Sequence, residues 1–119
     1  MSRDYRLYLE DMLVCCDRIT AHAHEMTLED FEANQLVQDA AIHNLHIIGE
    51  AANHIPEAVR AQYADVPWGA MIDLRNRIAH GYYDLVQRTV WDTITIGVPV
   101  LRAKVELMLS ETTTNNGES

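Results

Sequence analysis

The sequence predicts an all-α fold, a single helical bundle of about four principal helices with shorter helices between them. Only five Gly and three Pro interrupt the 119 residues, and no segment shows the alternation of apolar and polar residues that half-buried strands require. The 48% hydrophobic share is typical of a globular chain, and this length favours one domain with its own core. We expect that domain to cover residues 1–110, followed by a disordered polar tail at 111–119.

Apolar residues at helical spacing define the elements of the first half. A first amphipathic helix covers residues 3–24. Thr27 and Asp30 form the capping-box pattern that begins a short helix over 28–34. The strongest pattern is a long helix over 35–55. Its apolar stripe, interrupted by one asparagine, consists of Val37, Ala40, Ala41, Asn44, Ile47, Ile48, Ala51, Ala52 and Ile55.

Prolines and a glycine mark the elements of the second half. Pro56 ends the long helix or begins a new short one. Pro67 stands at the start of a further helix, which should stop near Gly81. A last helix covers about 86–109, and Pro99 within it should kink it.

Charge and composition exclude several classes of protein. Nine basic residues against eighteen acidic ones give a net charge of −9, so nucleic acid cannot be bound by global attraction and needs a local basic site. No apolar run approaches the roughly 18 to 20 residues that span a bilayer, and the N-terminus does not resemble a secretory signal. The adjacent Cys15 and Cys16 have no partner for an unstrained disulfide, which fits a reducing compartment. We therefore expect a cytoplasmic protein without a membrane partner.

One segment concentrates chemically active side chains in this acidic chain. Residues 73–83 (Asp-Leu-Arg-Asn-Arg-Ile-Ala-His-Gly-Tyr-Tyr) place Arg75, Arg77 and His80 beside the predicted helix end. Arginine is a permanent forked donor to phosphate oxygens, and histidine moves protons near neutral pH. The combination suits cleavage of a phosphodiester, with His80 as general acid or base and Arg75 against the charge that grows on phosphorus.

Helix geometry limits how a single copy of this segment can work. Arg75 and His80 are five residues apart, so their side chains point about 140° apart in a regular helix. Either the helix distorts near Gly81, or two copies of it meet across a two-fold axis. The second arrangement would place two arginines and two histidines in one cleft, and it favours a homodimer.

A larger ordered pattern surrounds the segment. Residues 75–82 fit the spacing Arg-x4-His-x-Tyr. The segments that accompany it in order are Gln38-Asp39-Ala40, Asn44-Leu45, Ile47-Ile48-Gly49-Glu50-Ala51, Val66-Pro67-Trp68 and Val90-Trp91-Asp92-Thr93. This set resembles the HepT family of HEPN-domain proteins, and the resemblance covers about residues 5–108.

The resemblance implies a function and roles for individual residues. It implies a HEPN-like helical bundle, usually a homodimer, that acts as a metal-independent ribonuclease toxin without a cofactor. The 2′-hydroxyl of the RNA would attack the phosphate, while His80 handles the proton and Arg75 binds the scissile phosphate. Asn76 would help to hold the cleft, with Arg77 as a further supporting residue. Glu50 either braces Arg75 through an ion pair or is exposed to solvent.

The resemblance also implies a partner protein. The family's antitoxin, in type VII-like toxin–antitoxin systems, is a minimal MntA-like nucleotidyltransferase that transfers AMP to the motif tyrosine. That residue is Tyr82 here, and the adjacent Tyr83 is a second possible acceptor. AMP two residues from His80 would fill the cleft and place negative charge beside Arg75.

Two other interpretations remain open at this point. The chain can be a catalytically inactive helical dimer that serves as a nucleotide-binding or nucleotidyltransferase-binding module. Separately, His43, His46, Glu50 and His54 fall within about 80° of one another on a helical wheel. Such a stripe can hold Zn or Fe, or it can be a partly solvated polar face. We favour the polar face and expect no metal site.

Overall fold

A computed structural model describes residues 3–81 and 87–117 of the chain, with side chains described as far as Glu111. The helices are α1 (Tyr5–His22), α2 (Leu28–Glu32), α3 (Gln35–Asn53), α4 (Glu57–Gln62), α5 (Trp68–Ala79), α6 (Gln87–Asp92) and α7 (Val98–Gly117), and the π-helical segment Thr93–Gly97 joins the last two. Within these ranges there is no strand. The all-α prediction is confirmed, and α1, α3, α5 and α7 are the four principal helices.

Side-chain caps explain where the early helices begin. Thr27 and Asp30 form the predicted capping box: the Asp30 carboxylate accepts from the Thr27 backbone N–H at 3.0 Å, and the Thr27 hydroxyl accepts from the Asp30 N–H at 3.1 Å. The Asn34 side chain accepts from the Val37 N–H at 3.1 Å at the start of α3. Each cap satisfies a backbone donor that has no partner inside its helix.

The core lies between α1, α3 and α7, and α5 packs mainly on α3. Cys15 and Cys16 are buried free thiols in it, and burial raises the pKa of Cys16 to about 12. The largest side chains that are almost completely buried are Phe31, Leu9, Met12, Ile19, Ile48, Ile55 and Met108.

The distortion predicted at Pro99 takes the form of a π-helical segment rather than a simple bend. Proline has no backbone N–H, so the α-helical hydrogen bond to the carbonyl four residues earlier cannot form. Just before it, the Val98 N–H donates to the carbonyl of Thr93, five residues earlier. The segment that includes Gly97 is wound more widely than the helices on either side.

The last helix is longer than the sequence pattern predicts. Its backbone is helical through Gly117, past residue 109, where the apolar stripe ends; the disorder of a tail over 111–119 stays a prediction. Once a long helix is formed, each further residue adds a hydrogen bond at little additional cost, so a helix can extend past its buried stripe. The domain boundary at residue 110 itself stays a prediction.

No helix within the described ranges is both long enough and apolar enough to cross a membrane.

Candidate functional site

The site-bearing helix α5 lies unusually close to α3, and Gly49 is the reason. A Cβ atom built on Gly49 would lie 2.7 Å from the backbone carbonyl oxygen of Met71 and still closer to the Cβ of Arg75. Real Cβ atoms do not approach other heavy atoms so closely, so α5 can occupy this position only because residue 49 has no side chain. The contact places the base of the Arg75 side chain directly against α3.

The next residue of α3 holds the Arg75 guanidinium. Glu50 accepts a hydrogen bond from Nε of Arg75 through its Oε1 atom and forms an ion pair with it. The Asn76 side chain accepts a second bond from Nη1 of Arg75 at 2.7 Å. In the described part of the chain Nη2 has no hydrogen-bond partner, and the Arg75 side chain is 29% exposed. The ion pair considered from the sequence is therefore formed, and it orients the guanidinium while one nitrogen stays available to a ligand.

His80 lies just past the last residue of α5, and its ring is also held by Asn76. Its Nδ1 lies 2.7 Å from the backbone carbonyl oxygen of Asn76. A carbonyl oxygen only accepts, so Nδ1 carries the proton in this contact and Nε2 of the neutral ring is a free base. The helix ends here because Gly81 adopts a φ of 78°, a left-handed conformation that favours glycine.

Asn76 links the two candidate catalytic residues. Its side chain accepts from Arg75, and its backbone carbonyl accepts from the His80 ring. Hydrogen bonds therefore join Glu50 to Arg75 and Arg75 to the Asn76 side chain, and a separate bond joins the Asn76 backbone to the His80 ring. These side chains are half-buried or exposed, so a solvent-borne ligand can reach them.

The remaining predicted site residues fall outside this chain of contacts. Arg77 is exposed on α5 and, within the ranges the structure describes, makes no hydrogen bond to the Glu50–His80 network. Tyr82, the predicted AMP acceptor, and Tyr83, the alternative acceptor, lie outside the described residues.

Two of the four polar residues of the predicted polar stripe, Glu50 and His54, make contacts other than metal ligation. No group of three His, Cys, Asp or Glu side chains in the described ranges is placed to hold a metal ion. Glu50 is paired with Arg75, and the Nδ1 of His54 lies 2.8 Å from the Glu50 carbonyl oxygen. The His54 ring stacks on Tyr8 with a centroid distance of 4.9 Å.

Two residues with structural roles, one at the site and one outside it, were not singled out from the sequence. One is Gly49, whose signal is a glycine in the interior of a long helix, directly before the candidate brace. The other is Gln38, a buried polar residue whose amide donates to the Phe31 carbonyl at 2.8 Å and accepts from Gln87 at 3.0 Å. Gln38 thus ties α2 and α3 to the first residue of α6, where the chain returns from the site-bearing segment.

An open apolar groove of about 500 Å³ lies beside the site-bearing helix. Met71 and Leu74 of α5 form one wall, with Arg77 on its lining, and the opposite wall includes Ile96, which is 66% exposed, and Asp92. The helix that carries Arg75 therefore presents apolar surface that nothing in the described part of this chain fills.

Comparison with known proteins places these features in a family. The family model described as Ribonuclease HepT-like matches residues 12–108. A probable ribonuclease HepT of Thermococcus cleftensis is 33% identical over 106 residues, 89% of this chain and 96% of that protein. A putative RNase of Caldanaerobacter subterraneus subsp. tengcongensis is 30% identical over 106 residues, 89% of this chain and 95% of that protein. No solved structure gives a significant match. The chain belongs to the HepT-like ribonuclease family.

Proposed function

We propose that the chain is the toxin of a type VII-like toxin–antitoxin system, a metal-independent endoribonuclease that acts in the cytoplasm. The observation that carries the proposal is the hydrogen-bonded series from Glu50 through Arg75 and Asn76 to His80. It supplies an oriented cation on α5 and a free ring nitrogen just past the end of the same helix, and solvent reaches both side chains. Relatives that share about a third of their residues with this chain are named as ribonucleases, which agrees with that chemistry.

The proposed reaction uses the RNA as its own nucleophile. The 2′-oxygen forms a bond to the adjacent phosphorus, and the bond from phosphorus to the 5′-oxygen of the next nucleotide breaks. A base removes the proton of the 2′-hydroxyl, and an acid donates a proton to the leaving 5′-oxygen. The products are a 2′,3′-cyclic phosphate and a 5′-hydroxyl, and no metal or cofactor takes part.

Each proposed step has a candidate group on the chain. The Nε2 of His80 carries out one of the two proton transfers, since Nδ1 is bonded to the Asn76 carbonyl. The unpartnered Nη2 of Arg75 donates to a non-bridging phosphate oxygen, where charge grows in the transition state. Glu50 keeps the guanidinium in place, so little reorganisation is needed when the phosphate binds.

A second copy of the chain supplies the other proton transfer in this proposal. Each copy carries one motif histidine, His80, just past the end of α5, and the other proton transfer is assigned to His80 of the second copy. The open apolar groove beside α5, with the exposed Ile96 on its rim, is surface that a homodimer contact would bury. Two chains that meet there across a two-fold axis would bring two copies of α5 together.

Metal-free RNA cleavage is the first test of the proposal. Unmodified protein, checked by intact mass, is expected to cut single-stranded RNA in excess EDTA and to leave 2′,3′-cyclic phosphate and 5′-hydroxyl ends. The ends are identified by mass spectrometry of the fragments. RNA of the same sequence with 2′-deoxy positions lacks the nucleophile and should stay intact. An unmodified protein that leaves RNA uncut contradicts the proposal and favours the alternative of an inactive dimer that binds nucleotides or a nucleotidyltransferase.

The proposed antitoxin is an MntA-like minimal nucleotidyltransferase that transfers AMP from ATP to Tyr82. Incubation with that enzyme and ATP is expected to add one AMP to the wild-type chain and to abolish RNA cleavage, because the new phosphate places negative charge near Arg75. The Tyr82→Phe variant should remain unmodified and active. Its matched control, Tyr83→Phe, should be modified and inhibited as the wild type is. AMP on Tyr83 instead, located by peptide mass spectrometry, would assign the acceptor to that residue.

A further inference from the structure

Three histidines share the face of α3 that carries Glu50, and the proposed reaction uses none of them. His43, His46 and His54 lie within about 80° of one another around the helix, and Glu50 lies in the same sector. Together they span about 16 Å along the axis, the length of about five stacked nucleotides. His43 and His54 are exposed, and His46 is half-buried. We call these three residues the histidine face.

The histidine face adjoins the catalytic arginine. Glu50, between His46 and His54 in the sequence, is the residue that pairs with Arg75. The Nδ1 of His54 lies 2.8 Å from the Glu50 carbonyl oxygen. The carbonyl only accepts, so Nδ1 is the donor and Nε2 of His54 is free to meet a ligand. A strand that runs along this face would therefore pass the Arg75 guanidinium.

Stacked rings continue the histidine face onto α1. The His54 ring stacks on Tyr8 at 4.9 Å between centroids with 16° between the planes. The Arg3 guanidinium carbon lies 4.8 Å from the centroid of the Tyr8 ring. Aromatic rings and guanidinium planes are the groups on which unpaired RNA bases stack, and this stacking tolerates any base sequence. One end of the face thus has the chemistry of a base platform.

Part of the negative charge near the histidine face is compensated, although the chain as a whole carries a net charge of −9 and the exposed Asp39 lies one turn before His43. Two carboxylates beside this surface are each paired with an arginine: Glu50 with Arg75, and Asp11 with Arg3 at 2.7 Å. Their negative charge is compensated, so it opposes a phosphate backbone less than free carboxylates would. The exposed His43 ring adds a hydrogen-bond donor for a phosphate oxygen.

We propose that the histidine face binds single-stranded RNA and leads it to Arg75, with a base stacked on His54. The inference rests on the proposed ribonuclease function and extends it to the path of the substrate. A metal role for the same residues is not supported, because no group of three possible ligands in the described ranges is arranged around one point.

RNA binding by matched variants tests this surface. Each variant carries His80→Ala as well, so that the RNA stays intact, and the dissociation constant for a fluorescent single-stranded RNA of mixed sequence is measured by anisotropy. His54→Ala is expected to weaken binding about tenfold, the effect of losing one stacked base. His54→Phe keeps the ring plane and should bind within about twofold of the parent. The control is His24→Ala, since His24 is exposed just beyond α1 and its ring lies 3.5 Å from the Glu25 carboxylate.

The outcomes separate this inference from the proposed function. Weaker binding by His54→Ala, with recovery in His54→Phe and no change in His24→Ala, supports RNA binding by the histidine face. Equal binding by all these proteins contradicts RNA binding by the histidine face and leaves the ribonuclease proposal intact. If the His80→Ala parent binds no RNA at any tested concentration, both are overturned. Circular dichroism of each variant must match that of the parent, which His54→Ala should satisfy because His54 is exposed.

Discussion

Replacing His80 with alanine is expected to lower the rate of RNA cleavage by at least about 10²- to 10⁴-fold, the usual contribution of one general acid or base, because the change removes both proton-transfer groups of the proposed dimer. The change removes the free Nε2 while it leaves the core intact, because His80 is exposed beyond the end of α5. The lost hydrogen bond to the Asn76 carbonyl should reduce the free energy of unfolding by only about 1 kcal/mol. Single-turnover cleavage in EDTA and urea unfolding measure the two effects separately.

Two companion variants distinguish proton transfer from positioning. His80→Asn keeps a short side chain that can donate to the Asn76 carbonyl but has no titratable nitrogen, so it should be as inactive as His80→Ala. His24→Ala removes an exposed histidine beside Glu25, and it should cleave RNA at the wild-type rate. Wild-type cleavage by both His80 variants would show that another group transfers the proton.

Local sequence patterns predict most of this fold because each principal helix buries one continuous stripe. In α3, Ile48 and Ala52 are buried at a spacing of four residues, and the same periodicity is visible in the sequence. The capping box of Thr27 and Asp30 is equally local and was predicted together with the helix that it begins. Such features involve residues a few positions apart, so no knowledge of the tertiary structure is needed.

The features that sequence analysis did not predict have two origins, the local backbone of the last helices and contacts between distant segments. Apolar periodicity does not predict the π-helical segment that ends at Gly97, because the periodicity continues through it. It does not predict the length of α7 either, because the periodicity stops before that helix ends. The structural role of Gln38 depends on its hydrogen bond with Gln87. That bond joins residues 49 positions apart, so local sequence patterns do not predict it. A polar residue in an apolar stripe is the only local sign of such a role.

In the candidate site, too, the sequence predicts the residues and the structure shows their contacts. The motif identifies Arg75 and His80, and spacing suggests that they diverge, but only the structure shows that Asn76 holds both of them. The ion pair of Glu50 with Arg75 was one of two interpretations from the sequence, since a carboxylate at that position of α3 can also face solvent. The contact of α3 with α5 decides between them.

Gly49→Ala is expected to have the second largest effect, on stability and on cleavage together. The new methyl group would lie 2.7 Å from the Met71 carbonyl oxygen, which belongs to the backbone of α5 and cannot rotate away. The helices must move apart, at a cost of about 1–3 kcal/mol in the free energy of unfolding. The gain in helix propensity, about 1 kcal/mol, offsets only part of that cost. Urea unfolding and the rate of RNA cleavage measure the result.

The kinetic effect should arise because the shift moves Arg75 relative to Glu50. The folded fraction of Gly49→Ala is therefore expected to cleave at least about tenfold more slowly, since small displacements of a positioning group cost up to 10²-fold in rate. Gly69→Ala is the matched control, because a Cβ on that glycine of α5 meets no atom within 4 Å. It should retain full activity with unchanged or slightly higher stability.

A further variant shows whether the loss passes through the ion pair. Glu50→Ala removes the brace on Arg75 without forcing α3 and α5 apart, so it should slow cleavage as Gly49→Ala does but with a smaller loss of stability. Gly49→Ala with the activity and stability of Gly69→Ala would contradict the argument, since the close approach of the two helices would then not hold the guanidinium in place. Slow cleavage by both Gly49→Ala and Glu50→Ala, with normal cleavage by Gly69→Ala, would trace the activity to the position of Arg75 rather than to the strength of the fold.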